Sequence, residues 1–216
     1  SVDEAIAAAG SGAAIVAGGT NLVPDVLFGR NAAERVVDIS RLDELRYIEK
    51  AGGRIRMGAL ATVTDLLGSD LILREAAPLH KSAVEFAGPL VRNRATVAGN
   101  IMDASPAADL APPLLALDAD VELTSAVGRR LLPLCEFFLD YRKTAVCPGE
   151  LVTAISIRPL GEGGRAAYCK LQLRRAMAIS VVSVAVVLRM NGDTCEDAGI
   201  GLGAAAAMPY RAEAAE

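Results

Sequence analysis

Apolar residues along this chain recur at helical spacing in some stretches and at alternate positions in others, and the switches between the two mark the elements. Val2 to Ala9 reads as a short amphipathic helix, and Ala13 to Ala17 as a short strand running into Gly18-Gly19. Arg35 to Ile39 is a second strand, and Tyr47 to Glu49 with Arg54 to Met57 form a hairpin around Gly52-Gly53. Thr62 to Phe86 is mostly helical, with Thr62 as N-cap and Gly68-Ser69 dividing it into two helices. A third helix is expected over Pro106 to Leu117, with Ser105 as N-cap and Pro106 at its first position, followed by a strand at Asp120 to Thr124. Further strands fall at Glu150 to Ile157, Tyr168 to Leu173, Ser180 to Leu188 and Thr194 to Leu202. The order lacks a strict strand–helix–strand rhythm, which points to an α+β fold. The Gly-rich polar run Gly161 to Arg165 is where a domain boundary is expected. No closing element is apparent after Ala204, and residues are expected to be missing at both ends.

Composition narrows the function classes. The 216 residues are 52% hydrophobic and 22% charged with mean hydropathy +0.35, which excludes a disordered chain. The longest late uncharged stretch, Ala176 to Leu188, is shorter than the ~20 apolar residues a spanning helix needs. A net charge of −4, 4% aromatics and no Trp argue against nucleic acid as partner. The cysteines Cys135, Cys147, Cys169 and Cys195 form no CxxC pair, and His80 is the only histidine, so no self-contained metal site and no His-based nucleophile relay is expected. Free, buried thiols in a reducing cytoplasm are the simplest account of the four cysteines.

Two loops carry the chemistry instead. Val16 to Pro24 follows a strand, and its Gly18-Gly19-Thr20-Asn21 core allows close backbone approach and a run of N–H groups that can cradle an anion. No Lys or Arg precedes Arg30, so a phosphate held here is met by backbone dipoles. Arg94 to Leu110 contains Gly99-Asn100, Asp103 and Asp109, more polar groups than a helix start requires. Together the loops suggest one extended ligand between two subdomains, although neither is a G-x-G-x-x-G or Walker loop.

The stretches AGGTNLVPDV (17–26), ATVAGNIMDASPAADLAPPLLALDADVEL (95–123) and FFLDYRKTAVCPGELVTAI (137–155) resemble the FAD-binding medium subunit of molybdenum hydroxylases, the family of xanthine dehydrogenase and carbon monoxide dehydrogenase. The resemblance implies an FAD domain of the vanillyl-alcohol-oxidase type over 1–160, made of two α+β subdomains at roughly 1–58 and 59–160. KLQLRRAMAISVVSVAV (170–186) looks like the start of the family's smaller C-terminal α+β domain, expected over 165–216. Carried over by position, the pyrophosphate loop falls on Ile15, Val16, Ala17, Gly18, Gly19, Thr20, Asn21 and Leu22. Phe86 matches an aromatic near the flavin, Thr96 a hydroxyl beside the second loop, and Gly99 and Asn100 the GN step, with Ala98 where glycine is usual. Asp103 is carried as a further contact, Asp109 as the carboxylate for the cofactor's hydroxyls, Val152 as an aliphatic near the adenine and Lys170 as a lysine near the flavin.

The family's chemistry needs few acid–base groups on this subunit, in keeping with their scarcity here. The resemblance implies an oxidoreductase subunit with non-covalent FAD and no substrate turnover of its own. It implies a small iron–sulfur subunit with [2Fe–2S] clusters and a large molybdopterin subunit as partners in a heterotrimer, single or dimerised, with NAD⁺, O₂ or another acceptor taking the electrons. Alternatives are a free-standing flavoenzyme of the same fold, or a hydroxybenzoyl-CoA reductase-type subunit. The latter carries a cysteine cluster between the strands after residue 124, which this chain lacks.

Overall fold

The computed structural model describes residues 1–216. The first lobe consists of α1 (Val2–Gly10), β1 (Ala14–Val16), α2 (Leu22–Leu27) and β2 (Val36–Asp38). A capping box between Ser1 and Glu4 starts α1, and β1 pairs in parallel with β2, Ala14 opposite Val36. The lobe's core is small: Ala5, Ile6 and Ile39 are completed by Leu45, Leu60 and Leu151 from later in the chain. α2 buries none of its residues.

The second lobe is built on a five-stranded antiparallel sheet. β3 (Ile48–Ala51) and β4 (Arg54–Gly58) form the expected hairpin, with both turn glycines at positive φ. Then come α3 (Val63–Gly68), α4 (Asp70–Glu75), α5 (Ala77–Glu85), α6 (Pro89–Arg92), α7 (Val97–Met102) and α8 (Ala111–Ala116). β5 (Asp120–Ser125), β6 (Gly128–Pro133), α9 (Leu134–Phe137), β7 (Phe138–Asp140), β8 (Lys143–Thr144) and β9 (Leu151–Ile157) complete it. The sheet order is β3-β4-β9-β5-β6, and β7 and β8 form a separate hairpin. Because β4 pairs with β9, Ile55 opposite Ile157, the 48–58 hairpin belongs to this lobe and not, as expected, to the first.

Four strands follow: β10 (Gly164–Gln172), β11 (Ser180–Asn191), β12 (Thr194–Gly203) and β13 (Tyr210–Arg211), in one antiparallel sheet. The short β13, which the sequence pattern does not show, pairs with β12, and the four cysteines, expected to be buried, are free and exposed. α8 packs against β11 and β12 with all six of its residues buried, and a single core of 34 buried residues runs from the five-stranded sheet through the helices to Ala185 and Val187 of β11. No helix is long and apolar enough to cross a membrane.

Three local expectations change. The 62–86 stretch makes three helices, not two, because Ala76 leaves helical geometry at φ −144° before Pro78 opens α5. Ser105 and Pro106 do not start a helix: Ser105 Oγ accepts from Ala107 N in a turn at 3.3 Å, and α8 begins only at Ala111, ahead of Pro112 and Pro113. Proline at those positions fits a first turn but blocks an established helix from continuing through it. β6 was not foreseen, since its side chains are almost all exposed and carry no burial rhythm.

β12 reaches α8 only because it carries glycines. A Cβ on Gly201 would lie 2.0 Å from the Pro112 carbonyl oxygen, and one on Gly199 2.3 Å from that of Ala116. Gly201→Ala should therefore destabilise the protein by about 2–3 kcal/mol, since backbone, not a flexible side-chain end, must yield. Urea unfolding checks this, and an unchanged midpoint would contradict the close packing.

Candidate cofactor-binding cleft

β1 delivers the chain to the first loop, where regular pairing stops: Ile39 N donates to Val16 O at 2.9 Å, and beyond it the backbone turns away. Gly19 sits at φ +73°, which glycine adopts without cost. Gly18 has a different requirement. A Cβ there would lie 1.8 Å from the carbonyl oxygen of Arg94, while Arg94 Nε donates to Gly18 O at 3.1 Å. The first loop thus meets the second lobe backbone to backbone. From Ala17 to Leu22, six consecutive N–H groups donate to no protein acceptor, and Asn21, the residue before α2, makes no side-chain cap. Such a run of mostly half-buried, unpaired N–H groups facing a cavity is suited to receive an oxyanion.

The opposite wall is the start of α7. Val63 N donates to Ala95 O and Val97 N to Ala61 O, both at 2.9 Å, which fixes residues 95–97 against the start of α3. Thr96 is buried and caps α7, its Oγ1 accepting from Gly99 N at 2.9 Å. Asn100 Oδ1 accepts from Leu110 N at 3.2 Å, which leaves its amide N–H₂ free to donate elsewhere. Ala98 lies inside this right-handed helix and has no positive φ, so alanine there carries no backbone strain, although it also lines the cavity.

Between these walls lies a cavity of about 530 Å³. Of the sixteen positions singled out in the sequence, fourteen line it: Ile15 to Leu22, Phe86, Thr96, Gly99, Asn100, Asp103 and Val152. The other two, Asp109 and Lys170, do not. Lys170 Nζ, on a fully buried side chain, donates to Asp109 Oδ2 at 2.8 Å, and Ser180 Oγ donates to Asp109 Oδ1 at 2.8 Å. The expectation that this carboxylate faces a ligand, with the lysine near it, is therefore corrected. Both groups are committed to each other and tie the second loop to β10 and β11. Burial pushes the Asp109 carboxyl above its usual range, and the Lys170 and Ser180 bonds oppose that rise.

Five charged or polar residues at the cavity were not picked out in the sequence: Asp25, Arg30, Asn31, Arg142 and Glu150. Arg130 donates to both oxygens of Glu150, at 2.6 and 2.8 Å, and holds its carboxyl below the usual range. Arg142 bridges Asp25 and Asp103. The sequence offers no local signal for either set, because the partners are distant in the chain. No His, Cys or Tyr lines the cavity, and no group of three or more His, Cys, Asp or Glu side chains is placed to hold a metal ion. The arrangement suits binding more than proton transfer: free backbone donors on one wall, a threonine and an amide on the other, and aliphatic and aromatic surface between them.

Comparison with known proteins places this geometry in context. Residues 1–160 match the family model of the FAD binding domain in molybdopterin dehydrogenase, and residues 166–216 that of the CO dehydrogenase flavoprotein C-terminal domain. The chain is 32% identical over 197 residues to the glyceraldehyde dehydrogenase medium chain of Sulfolobus acidocaldarius, covering 91% of this chain and 69% of the relative. It is 32% identical over 206 residues to the carbon monoxide dehydrogenase medium chain of Afipia carboxidovorans, covering 95% and 71%. Among solved structures, that of carbon monoxide dehydrogenase from Hydrogenophaga pseudoflava lacking the Mo-pyranopterin moiety superimposes with a TM-score of 0.95 at 33% identity, over all of this chain and 76% of that one.

The Asp109–Lys170 pair yields a stability test. Asp109→Asn leaves the buried ammonium without its counter-charge and should cost about 3–5 kcal/mol. The double change Asp109→Leu with Lys170→Met should recover most of that loss and keep bound flavin. Urea unfolding and flavin content measure the two, and a stable but flavin-free double variant would return Asp109 to the cofactor.

Proposed function

This chain belongs to the family of FAD-binding domains in molybdopterin dehydrogenases, and on that premise we propose that it receives electrons from [2Fe–2S] clusters of a partner subunit and delivers them to NAD⁺, O₂ or another acceptor. It is an FAD-binding oxidoreductase subunit of the xanthine dehydrogenase and carbon monoxide dehydrogenase type. The proposed partners are a small iron–sulfur subunit and a large subunit carrying the molybdenum cofactor. Residues 1–160 are proposed as the FAD-binding unit and 165–216 as part of the C-terminal domain.

The observation that carries the reading is the run of six unpartnered N–H groups from Ala17 to Leu22, opening on a cavity that extends to the second loop. A Cβ at Gly18 would close this approach, so the cradle depends on the residue present. We assign the pyrophosphate to the Ala17–Leu22 backbone, hydroxyl contacts to Thr96 and Asn100, and apolar ring contacts to Phe86 and Val152. Thr96 has spent one lone pair on Gly99 N, and its hydroxyl proton remains to donate. FAD, when bound, supplies the electron chemistry, while the chain supplies binding and orientation. Non-covalent attachment is proposed because no histidine, cysteine or tyrosine lines the cavity.

Two outcomes are expected of the purified chain. It should be yellow, with flavin absorbance bands near ~370 and ~450 nm expected of any bound flavin, and acid precipitation should leave the pellet colourless. It should not oxidise an aldehyde or purine by itself, and turnover by the isolated chain would favour a free-standing flavoenzyme. Gly18→Ala should lower flavin occupancy at least about tenfold, a loss of roughly 1.4 kcal/mol or more of binding free energy. Flavin content after gel filtration checks this, and unchanged occupancy would remove the phosphates from this loop.

A further inference from the structure

Arg142 stands where three parts of the chain meet at the cavity. Its Nη2 donates to Asp25 Oδ2 at 2.8 Å and to Asp103 Oδ1 at 2.7 Å. Asp25 is on α2 of the first lobe, Asp103 directly follows α7 of the second, and Arg142 is at the tip of the β7–β8 hairpin. All three line the cavity. Both carboxylates are 16% exposed, so this is no fully solvated surface pair, and they keep the guanidinium firmly charged.

The backbone pays for the position of this side chain. Arg142 adopts φ +53°, and its N–H donates at 3.1 Å to the carbonyl of Ala104, which itself adopts φ +46°. A glycine or asparagine would take the hairpin position without that strain, and such residues persist where the surroundings over-determine them. The partner helix has little else to fix it. α2 buries no residue, and the other ionic contact of Asp25, with Arg30, is at 3.8 Å. The first lobe rests on a six-residue core whose completing members come from outside it.

We propose that Arg142 is a bolt between the two lobes that sets how fast the cofactor leaves and enters the cleft. It is a positioning residue, acting through Asp25 and Asp103, and the proposal rests on the assignment of FAD to this cavity. With the bolt closed, α2 and the phosphate-binding turn before it are held against the second lobe. Opening the Asp25–Arg142 bond frees α2 to swing outward while the Gly18–Arg94 contact and the shared core keep the rest of the first lobe in place and the Arg142–Asp103 bond stays within the second.

The test is the rate of flavin release from the flavin-loaded protein, followed by recovery of free-FAD fluorescence on dilution, for the parent, Arg142→Met, Arg142→Lys, Asp25→Asn and the double variant. Arg142→Met and Asp25→Asn should each raise the release rate about fivefold or more, and the double variant no further than either alone. Added salt should speed release from the parent but not from Arg142→Met, a loss of salt dependence that a merely structural role would not give. Release rates within twofold of the parent, or independent multiplication of the two effects, would overturn the bolt. If Arg142→Met does not fold, Arg142→Lys and Asp25→Asn decide alone by the same limits. A parent that carries no flavin would overturn the cavity assignment and the bolt with it.

Discussion

The cleft exists because two backbones touch. Gly18 lies so close to the Arg94 carbonyl that no side chain fits between them, and Arg94 returns a hydrogen bond to the Gly18 carbonyl. This contact brings a loop from the first lobe against the stretch that caps α7, nearly eighty residues later. It sets two polar walls face to face: the unpartnered N–H run from Ala17 to Leu22 on one side, Thr96 and Asn100 on the other. A side chain at position 18 would separate the walls and leave two ordinary loops.

Charge is handled differently inside and around this cleft. The N–H groups of the cradle carry only partial charges, so they meet an anion without a buried cation having to be neutralised when the site is empty. Full charges near the cavity are paired already: Arg142 with Asp25 and Asp103, Arg130 with Glu150. Farther in, Lys170 and Asp109 pair in a site where neither would be tolerated alone, and they join the second loop to the C-terminal sheet. The family's redox chemistry resides in its cofactors, so a chain that only binds and orients one has little need of a side-chain proton relay.

Much of the fold was legible in local pattern. The Gly52-Gly53 hairpin, the Thr62 cap with its reciprocal Asp65 bond and the Val-rich β11 appear where the residues place them. Pattern and structure part where local and tertiary preferences diverge. Ser105-Pro106 has the form of a helix start, yet the chain turns there and the buried helix waits for Pro112 and Pro113. The edge strand β6 is exposed, so burial never imprinted a rhythm on it. Sequence order places the hairpin β3–β4 with the nearer lobe, but its hydrogen bonds go to β9, about a hundred residues away.

The site divides along the same line. The sequence alone determined the two Gly-bearing loops, the family they resemble and most of the cavity wall, because glycine freedom and capping chemistry act within a few residues. Tertiary structure decided the rest. It turned Asp109 away from the cavity toward Lys170, and it brought Asp25, Asp103 and Arg142 together across up to 117 positions of chain. The reason is physical: a carboxylate pairs with whatever cation the fold sets within about 3 Å, and no residue's neighbours in sequence specify which one that will be.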